Sequence, residues 1–492
     1  MAEEATKKKF DLLDMSGTYT GWQMNRARWQ TLILCVAVYF LCVLIVPYMG
    51  LTVPKAGMAL GLVFATIVLW VSNVFTVYWG GLVLAVGGCL LGLFSFSQVQ
   101  STAGSSNMLQ MFGFYIVAEG ALSTNVGKRI GYFCIYKFNQ NMSLMVLSMF
   151  VATMVLSIFC SNIASTVVMC GIAAGLLKEV EETDPVRGKL LGKSMVIMIA
   201  MGAMLGGIVL PSSSPGQNTI ALNALAAANN GVTIEFGQWA VYGMPSALIL
   251  LVPTWLIYIK LLKLPKGGVD VDQAMFKKKL DDIGPITGAE VRWVLTVVLM
   301  VVTMITGMLP TNVAATTFAV IATFPMVGSV NIVNYFKAPP FGQLLQMCFN
   351  GLIGVLFINY GIDKWMAGVL VPMLQSLSPF MLMIVCALTV QFINAMFPNA
   401  NSGIITICVT IFAPVIFGLG LNPLVILAPQ ILNSGLQQIL GVQMNMYITY
   451  KYGYWEINEP ILPGVLSCIM WCVVTSIVVW FLYPMTNLSL YV

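Results

Sequence analysis

The chain consists of long, almost uninterrupted apolar runs separated by short polar segments. A helix that crosses a bilayer needs about 20 mostly apolar residues, whereas strands of a membrane barrel alternate apolar and polar positions over about 10 residues. These runs do not alternate, so they predict about 11 membrane-spanning helices. Full or near-full spans are expected at 31–50, 57–75, 78–96, 108–124, 191–210, 237–262, 291–309, 312–333, 343–362, 422–440 and 462–486.

Two further apolar regions, 142–177 and 376–418, are each interrupted in the middle by a cluster of polar residues. Each is long enough for two short helices but too short for two complete spans. We therefore interpret both as re-entrant hairpins, which enter and leave the membrane on the same side. Non-helical backbone at membrane depth is tolerated only where protein or a water-filled cavity surrounds it, so both tips are expected to lie inside the protein.

The distribution of Lys and Arg supports this topology. With both hairpins counted as re-entrant, 21 of the 23 basic residues fall on one side, and Lys55 and Lys364 fall on the other. Counting either hairpin as a single crossing would reverse everything after it and remove the bias. Because basic residues accumulate in cytoplasmic loops, we expect the N-terminus inside and the C-terminus outside, in the cytoplasmic (inner) membrane.

A polar segment rich in Lys, Asp and Gly divides the chain into two halves of similar size. Each half contains several spans, a hairpin, an interrupted helix and a final span, which predicts an inverted two-fold repeat. Interrupted helices at corresponding places in two halves indicate the binding site of a transporter. The expected bounds are 1–30 for a cytoplasmic N-terminal segment without a signal peptide, 31–262 for the first repeat (hairpin 142–177, broken helix 191–228), 263–290 for a cytoplasmic linker, and 291–492 for the second repeat (hairpin 376–418, broken helix 422–450).

Composition excludes several classes of protein. The chain is 59% hydrophobic and 8% charged, against about 25% charged residues in soluble domains. It contains no His and no pair of Asp within the predicted spans, which excludes serine–histidine, HExxH and aspartyl mechanisms. The eleven Cys form no CxxC pair. We expect a protein that is not an enzyme, with no organic cofactor and no nucleic-acid partner, its net charge of +5 reflecting membrane topology.

The polar clusters contain the candidate chemistry. In the first half, the hairpin tip includes Ser161, Asn162 and Ile163, and a Gly-, Pro- and Ser-rich stretch follows at 206–218. The Gly-Gly pair and the two Pro residues there predict an unwound helix near mid-membrane. In the second half, the tip includes Asn399, and a polar stretch follows at 437–445. A single Ser-Asn pair more often serves helix packing, but two such tips in two repeats favour a binding site.

The chemistry of such tips suits an anion together with a hard cation. Helices that begin just after the tip direct free backbone N–H groups and the positive end of the helix dipole toward the centre, where an anion can bind. Side chains of Ser and Asn and unwound carbonyl groups supply oxygens that suit Na⁺. No Lys or Arg lies in either tip, so binding of an anion there would not use a basic side chain.

These residues resemble the divalent anion/sodium symporter family, which includes di- and tricarboxylate and sulfate carriers. The likeness covers nearly the whole chain, and the family's signature is a Ser-Asn-Thr triplet at each tip. The matching positions are Ser161-Asn162-Ile163 and Pro398-Asn399-Ala400 for the two tips, Gly206 to Asn218 for the loop after the first hairpin, Phe236, Trp239, Gly243 and Pro245 for an aromatic and Gly/Pro motif, and Asn422-Pro423 after the second hairpin.

The resemblance implies an elevator-type homodimer embedded in the lipid bilayer that transports a small organic anion, with Na⁺ as a coupling ion in some members. It implies cation sites at Ser157, Ser161 and Asn162 in the first half and at Asn394, Asn399 and Gly441 in the second. Residues expected to bind substrate are Ser161, Asn162, Ile163, Ser213, Ser214, Asn399 and Ala400.

The sequence departs from the family signature, and it leaves alternatives open. Both tip Thr residues are replaced, by Ile163 and Ala400, and the second tip has Pro398 in place of Ser. One alternative is an exchanger of carboxylates that does not use Na⁺. Another is a cation/proton antiporter, which would need a carboxylate at mid-membrane; Glu119 is the only acidic residue well inside an apolar run, near the cytoplasmic end of its span.

Overall fold

The computed structural model describes residues 26–72, 75, 77–138, 140–268, 273–331, 333, 340–396, 401–435, 439 and 444–492. Within these ranges the regular secondary structure is helical, apart from one isolated bridge between Leu421 and Tyr491. The all-α membrane architecture expected from the apolar runs is therefore confirmed.

The first half contains twelve described α-helices, counting the short one that follows its last span. They are α1 (Arg26–Ile45), α2 (Ala56–Ser72), α3 (Val77–Leu90), α4 (Phe96–Ala103), α5 (Ser106–Ser123), α6 (Val126–Phe138), α7 (Met142–Phe159), α8 (Asn162–Thr183), α9 (Pro185–Gly207), α10 (Pro215–Ala228), α11 (Phe236–Leu261) and α12 (Gln273–Asp282). The helices α7 and α8 form the first hairpin, and α9 and α10 form the first broken helix.

The described helices of the second half also include a hairpin that is followed by a broken helix and a final span. They are α13 (Gly288–Ile305), α14 (Thr311–Thr323), α15 (Pro340–Asn359), α16 (Ile362–Leu374), α17 (Pro379–Met396), α18 (Asn401–Gly418), α19 (Pro423–Ile426), α20 (Ala428–Leu432), α21 (Met444–Tyr450) and α22 (Ile461–Leu482). The helices α17 and α18 form the second hairpin, and α19 to α21 form the second broken helix.

Among the described residues, seven helices are long and apolar enough to cross a membrane, or eight if one bent pair counts as a span. They differ in burial. In α1 only 11% of the most apolar window is buried, whereas in α9 the share is 89%. The helix α1 therefore lies at the surface of the described fold, and α9 lies inside it, where its break can take part in a site.

Two predicted spans have different bounds in the structure. The span expected at 312–333 is helical only to Thr323, because Pro325 follows and the residues before a proline disfavour helix. The span expected at 343–362 ends at Asn359, and the chain bends by 79° into α16. Gly361 stands at that bend with a φ of +65°, a conformation that favours glycine.

Short amphipathic helices were not predicted from the apolar runs. In α6 the buried residues Gly127, Gly131 and Ile135 recur every four positions and form one face of the helix. The helix α6 leads from α5 into the first hairpin. Arg129 on α6 contacts Glu290 at the start of α13, with 2.9 Å between Nε and Oε1, and it also donates to the carbonyl of Gly284 at 2.7 Å.

The first hairpin packs closely against α9 because small residues of α9 face it. A Cβ added at Gly202 would collide with the carbonyl oxygen of Phe150, and one added at Gly206 would lie 2.7 Å from Cβ of Ser157. Small residues at four-residue spacing allow two helices in a membrane to approach closely. This packing places the hairpin tip beside the end of α9.

Candidate substrate and cation site

The break between α9 and α10 is a compact turn that the side-chain amide of Asn218 stabilises. The helix α9 ends at Gly207, and α10 begins at Pro215 after a 3₁₀ turn. Asn218 Nδ2 donates to the carbonyl oxygens of Gly207 at 2.9 Å and of Leu210 at 3.2 Å. The carbonyl of Leu210 also accepts from the backbone N–H of Ser213 at 3.1 Å, whereas the carbonyl of Gly207 has lost its helical partner, so Asn218 satisfies an acceptor that the break would otherwise leave unpaired.

The helix α11 supports the same break from the other side. The indole N–H of Trp239 donates to the carbonyl oxygen of Ile208 at 2.9 Å. One turn later, a Cβ added at Gly243 would lie 2.7 Å from the carbonyl oxygen of Val209. The Trp and Gly of the sequence motif thus have a direct structural role, because they hold an unwound segment in place.

The tip of the first hairpin begins a new helix. Ser161 is the N-cap of α8, and its Oγ accepts a hydrogen bond from the backbone N–H of Ala164 at 3.2 Å. Such caps stabilise a helix by about 1 kcal/mol. Ile163, the next residue but one, is partly exposed and has no polar atom in its side chain. The tip therefore offers one capped hydroxyl, one amide and one apolar side chain.

Asn162 connects the tip to both neighbouring elements. Its side chain is 6% exposed. Its amide is best satisfied with Nδ2 toward Ser157 Oγ at 2.9 Å and toward the carbonyl oxygens of Ser213 and Ala203, each at 3.2 Å. Ser157 Oγ in turn donates to the Ala203 carbonyl at 2.8 Å. In this orientation Oδ1 of Asn162 faces Ser214, on the side of the break.

Ser213 and Ser214 place two more hydroxyl groups beside the tip. Ser213 Oγ donates to the carbonyl of Ile158 at 2.9 Å, which ties the break to the first arm of the hairpin. Ser214, at the start of α10, hydrogen-bonds the side chain of Gln217. Both serines are buried. Ser157, Asn162, Ser213 and Ser214, four of the predicted site residues, therefore lie in one polar cluster.

Gly207 makes this cluster possible. A Cβ added there would lie 2.6 Å from the nearest atom of the Asn162 side-chain amide, closer than real Cβ contacts allow. The end of α9 can thus approach the hairpin tip only because it lacks a side chain. The N-terminal turns of α8 and α10 begin at this point, and the first N–H groups of a helix together with its dipole attract an anion.

In the second half, only part of the predicted site lies within the described residues. Asn399, Ala400 and Gly441 lie outside them. Asn394, near the end of α17, is 0% exposed, and neither Oδ1 nor Nδ2 has a hydrogen-bond partner within the described part of the chain. A buried amide left unpaired costs about 1–3 kcal/mol, so such a group is typical of a site for an ion or an ordered water.

A second buried amide, Gln430 on α20, was missed by the sequence reasoning. It is 1% exposed, and its Oε1 and Nε2 also lack partners among the described residues. In the first half, Ser157 lies against Ala203. In the second, Gln391 donates to the carbonyl of Asn433, which repeats the packing of hairpin on broken helix. A lone Gln within the apolar stretch 423–432 was the available signal in the sequence.

The fold and these contacts define a polytopic α-helical membrane protein of the secondary-transporter type, with two hairpins packed against two broken helices. The chain belongs to the family described as the sodium:sulfate symporter transmembrane region, whose profile matches residues 26–488. The resemblance noted in the sequence is therefore confirmed.

Known proteins support this assignment. A stretch of 197 residues is 29% identical to the sodium-dependent dicarboxylate transporter SdcS of Staphylococcus aureus; it covers 38% of this chain and 37% of that protein. Two solved structures are similar at 13% identity. The YdaH transporter of Alcanivorax borkumensis has a TM-score of 0.51 (82% of this chain, 88% of that one), and MtrF of Neisseria gonorrhoeae has 0.53 (80% and 83%). At this identity the two structures support the fold alone.

Proposed function

We propose that this protein is a secondary active carrier of a small organic anion, a di- or tricarboxylate or a related anion, rather than an enzyme. The observation that carries the proposal is the cluster in which Asn162 contacts Ser157 and the backbone of Ser213 and Ala203. It joins a hairpin tip, a broken helix and two helix N-termini. Family membership and the name of the Staphylococcus aureus relative support a carboxylate as substrate.

Na⁺ is the proposed coupling ion, and its first site comprises Ser157, Ser161 and Asn162. Hard cations prefer oxygen ligands, and these side chains with the carbonyl groups of the break supply several within a small volume. The Oδ1 of Asn162 is the atom best placed to change partners, because Nδ2 already has three acceptors nearby. Na⁺ would then neutralise part of the substrate charge at the same point.

The anion is proposed to bind between the two tips. Ser161, Asn162, Ile163, Ser213 and Ser214 form its first half, and Asn399 and Ala400 its second. Backbone N–H groups at the starts of α8 and α10 supply the positive potential, since no Lys or Arg occurs at either tip. Ile163 in place of the family's Thr leaves an apolar wall where a hydroxyl would contact a carboxylate.

The second cation site is proposed at Asn394, Asn399 and Gly441. The buried, unpaired amides of Asn394 and Gln430 support it from the described residues. Amide oxygens from Asn394 and Gln430 offer ligands where the tip has lost hydroxyls to Pro398 and Ala400. This site therefore differs from the first in ligand type, with amide groups in place of serine hydroxyls.

We further propose the organisation that the sequence predicts. It is an elevator-type homodimer with two inverted repeats bounded at 31–262 and 291–492, a linker at 263–290, a cytoplasmic N-terminus and an outward C-terminus. The bias of 21 basic residues to one side supports the orientation. Since α1 is poorly buried and α9 almost fully buried, the two belong to different environments, as a lipid-facing scaffold and a central transported unit require.

The proposal is tested with purified protein in liposomes. Uptake of labelled succinate, citrate and sulfate is measured with an inward Na⁺ gradient and with K⁺ in its place. Na⁺-dependent accumulation of at least one carboxylate, inhibited by its unlabelled form, is expected. Absence of uptake and of exchange for all three, from protein that is monodisperse after reconstitution, would reject an anion carrier of this type.

A second candidate function is exchange of one carboxylate for another without Na⁺. The observation that favours it is the loss of hydroxyl ligands at the second tip, where Pro398 and Ala400 replace Ser and Thr of the family signature. The same liposomes distinguish the two functions. Uptake that needs internal carboxylate and is unchanged when Na⁺ is replaced by K⁺ indicates exchange, whereas accumulation into empty liposomes that stops without Na⁺ indicates symport.

A further inference from the structure

The turn that follows α20 contains a buried amide whose orientation is fixed. Asn433, the first residue of this 3₁₀ turn, is 0% exposed. Its Nδ2 donates to the carbonyl oxygen of Pro429 at 2.8 Å and to Oγ1 of Thr475, on α22, at 2.7 Å. Exchanging the oxygen and nitrogen of this amide would set Oδ1 against the carbonyl oxygen of Pro429, so the contacts identify which atom is Oδ1.

The oxygen of the same amide has no donor. Oδ1 of Asn433 is buried and has no hydrogen-bond partner within the described part of the chain. Leaving a buried acceptor unpaired costs free energy, and such an atom in a native structure indicates an ion or an ordered water. Because both protons of Nδ2 are already used, a small rotation of the side chain would break existing hydrogen bonds before it gave Oδ1 a partner.

The second hairpin brings another unpaired amide to the same contact. Nε2 of Gln391, on α17, donates to the main-chain carbonyl of Asn433, so this face of α17 lies on the turn. Asn394 is three positions further along α17, and residues at this spacing lie on the same face of a helix, with Cβ atoms about 5–6 Å apart. Both polar atoms of Asn394 are buried and lack partners among the described residues. The hairpin and the broken helix therefore each contribute one unpaired amide oxygen where they pack together.

The end of α17 favours a cation at this contact. Asn394 lies in the last turn of this 18-residue helix, which ends at Met396. The last carbonyl groups of a helix and the negative end of its dipole attract cations, and the ends of interrupted helices hold Na⁺ in this way in secondary transporters. The sequences of α17, of the stretch 423–435 and of α22 contain no Lys or Arg, so none of these segments supplies a positive charge of its own.

We propose that Asn433 is a ligand of Na⁺ at the second break, and that Thr475 is the positioning residue that directs its Oδ1 to the ion. Thr475 Oγ1 gives its one proton to the carbonyl of Trp471 at 2.7 Å, so toward Asn433 it can only accept. The inference rests on the proposed function and deepens it, because it adds to the second cation site a ligand that lies outside the hairpin tip. A fixed amide oxygen needs no reorganisation when the cation binds.

The test measures binding of Na⁺ to the full chain, purified in mild detergent, without transport. The thermal midpoint is recorded while NaCl replaces choline chloride at constant ionic strength, since a ligand that binds the folded state raises the midpoint. Asn162→Ala, which removes the first proposed site, isolates the second half. In that background the midpoint should still rise with Na⁺, and the additional change Asn433→Ala should abolish the rise.

Variants of Thr475 separate positioning from folding, and they decide the question alone where Asn433→Ala does not fold. Thr475→Val keeps the shape of the side chain but removes the acceptor for Nδ2, so it should raise the half-saturating Na⁺ concentration roughly fivefold, the effect of one neutral hydrogen bond. Thr475→Ser should restore the wild-type value. The control is Ser476→Ala, because Ser476 is equally buried and its Oγ donates to the carbonyl of Cys472 in its own helix.

Three results would overturn the proposal. One is a midpoint of Thr475→Val that is lower in both salts while the half-saturating Na⁺ concentration stays the same, which indicates a structural role only. Another is a Na⁺ effect that survives Asn433→Ala, as an ordered water beside Oδ1 would allow. The third is a wild-type midpoint that does not respond to Na⁺; carboxylate uptake by the same protein in liposomes would then leave the proposed carrier standing. Conversely, a Na⁺ effect that Asn433→Ala abolishes, in a protein that transports none of the tested anions, would support this inference and reject the carrier.

Discussion

Ser434 Oγ donates a hydrogen bond to Oδ1 of Asn218 at 3.4 Å, and the two residues are 216 positions apart in the chain. Asn218 closes the break of the first broken helix, and Ser434 lies in the 3₁₀ turn at the break of the second. The two interrupted helices therefore meet at their interruptions. This contact joins the break of the first half to the break of the second within the described part of the chain.

The first prediction concerns Asn218. Asn218→Ala removes the donor to the carbonyl oxygens of Gly207 and Leu210; Leu210 keeps the backbone N–H of Ser213, but the buried carbonyl of Gly207 loses its donor, and a buried acceptor left unpaired costs about 1–3 kcal/mol. We expect a lower thermal midpoint and loss of uptake. Ser434→Ala should lower the thermal midpoint less than Asn218→Ala does, because the hydrogen bond that it removes is long, at 3.4 Å. Equal thermal midpoints for the two variants would show that Asn218 does not hold the break.

The second prediction concerns Asn162. Asn162→Ala should abolish uptake while the protein remains folded, because the amide both contacts the break and offers an oxygen to a cation. Uptake in liposomes and the elution profile in detergent are measured together. Thr183→Ala, exposed at the far end of the same helix, serves as the control. Wild-type uptake by Asn162→Ala would mean that the tip serves packing alone.

The third prediction uses two glycines that differ in surroundings. Gly207→Ala would place a Cβ 2.6 Å from the side-chain amide of Asn162, and overpacking of this kind costs about 1–3 kcal/mol. We expect uptake to fall at least as far as in Asn162→Ala. Gly171→Ala, in α8, has no heavy atom within 4 Å and should stabilise the helix by about 0.5–1 kcal/mol. Similar uptake by the two variants would contradict close packing at the tip.

The candidate site could be predicted from the sequence where polar residues interrupt long apolar runs, and not where its residues lie in continuous apolar stretches. Ser161, Asn162 and the stretch 206–218 stand out because a membrane helix cannot continue through them. The structure brings these separate stretches together at Asn162 and Ser213. The hairpins were visible for the same reason, since each polar tip divides an apolar region.

Other features of the fold and the candidate site depend on contacts between residues that are far apart in the sequence, which no local sequence pattern indicates. A single Gln within an apolar stretch, as at Gln430, is more typical of interhelical packing than of a site. Arg129 and Glu290 are 161 positions apart, and α6 is too short and amphipathic to stand out among spans. Two helix bounds were predicted wrongly because a single residue determines each of them. These residues are Pro325, after the end of α14, and Gly361, before the start of α16.

The fourth prediction concerns pH. Burial disfavours the charged form of Glu459, but hydrogen bonds from Lys193 and from the backbone N–H of Glu456, together with the charges of Lys193 and Lys189, outweigh it. The pKa of Glu459 is therefore below 4.5, its ordinary value. A lowered pKa stabilises the folded state above the unfolded value, and this stability is lost as pH falls through the folded-state pKa.

Glu459→Gln should therefore lower the thermal midpoint at pH 7, by about 2 °C or less for a partly exposed pair. The difference from the wild type should shrink as pH falls below 4.5. Thermal unfolding in detergent at several pH values measures it, with the exposed Glu182→Gln as control. A difference that stays constant from pH 7 to pH 3 would exclude ionisation of Glu459 as its cause.

The last prediction concerns coupling and follows from the asymmetry of the two tips. The first keeps Ser161 and Asn162, and Asn162 lies beside Ser157 and the carbonyl groups of Ser213 and Ala203, so several oxygens lie close together. The second has Pro398 and Ala400, and a monovalent cation held without carboxylates is weakened by each lost ligand. The amides of Asn394 and Gln430 are buried and can replace the lost hydroxyl ligands only in part, because each supplies one oxygen.

We expect the first site to bind Na⁺ more tightly, and the carrier to use fewer Na⁺ per substrate than the symporters of its family, or none. Uptake should then show a Hill slope for Na⁺ of about one or less, and Asn162→Ala should reduce it more than Asn399→Ala. A steep dependence on Na⁺ with equal losses in the two variants would falsify this asymmetry.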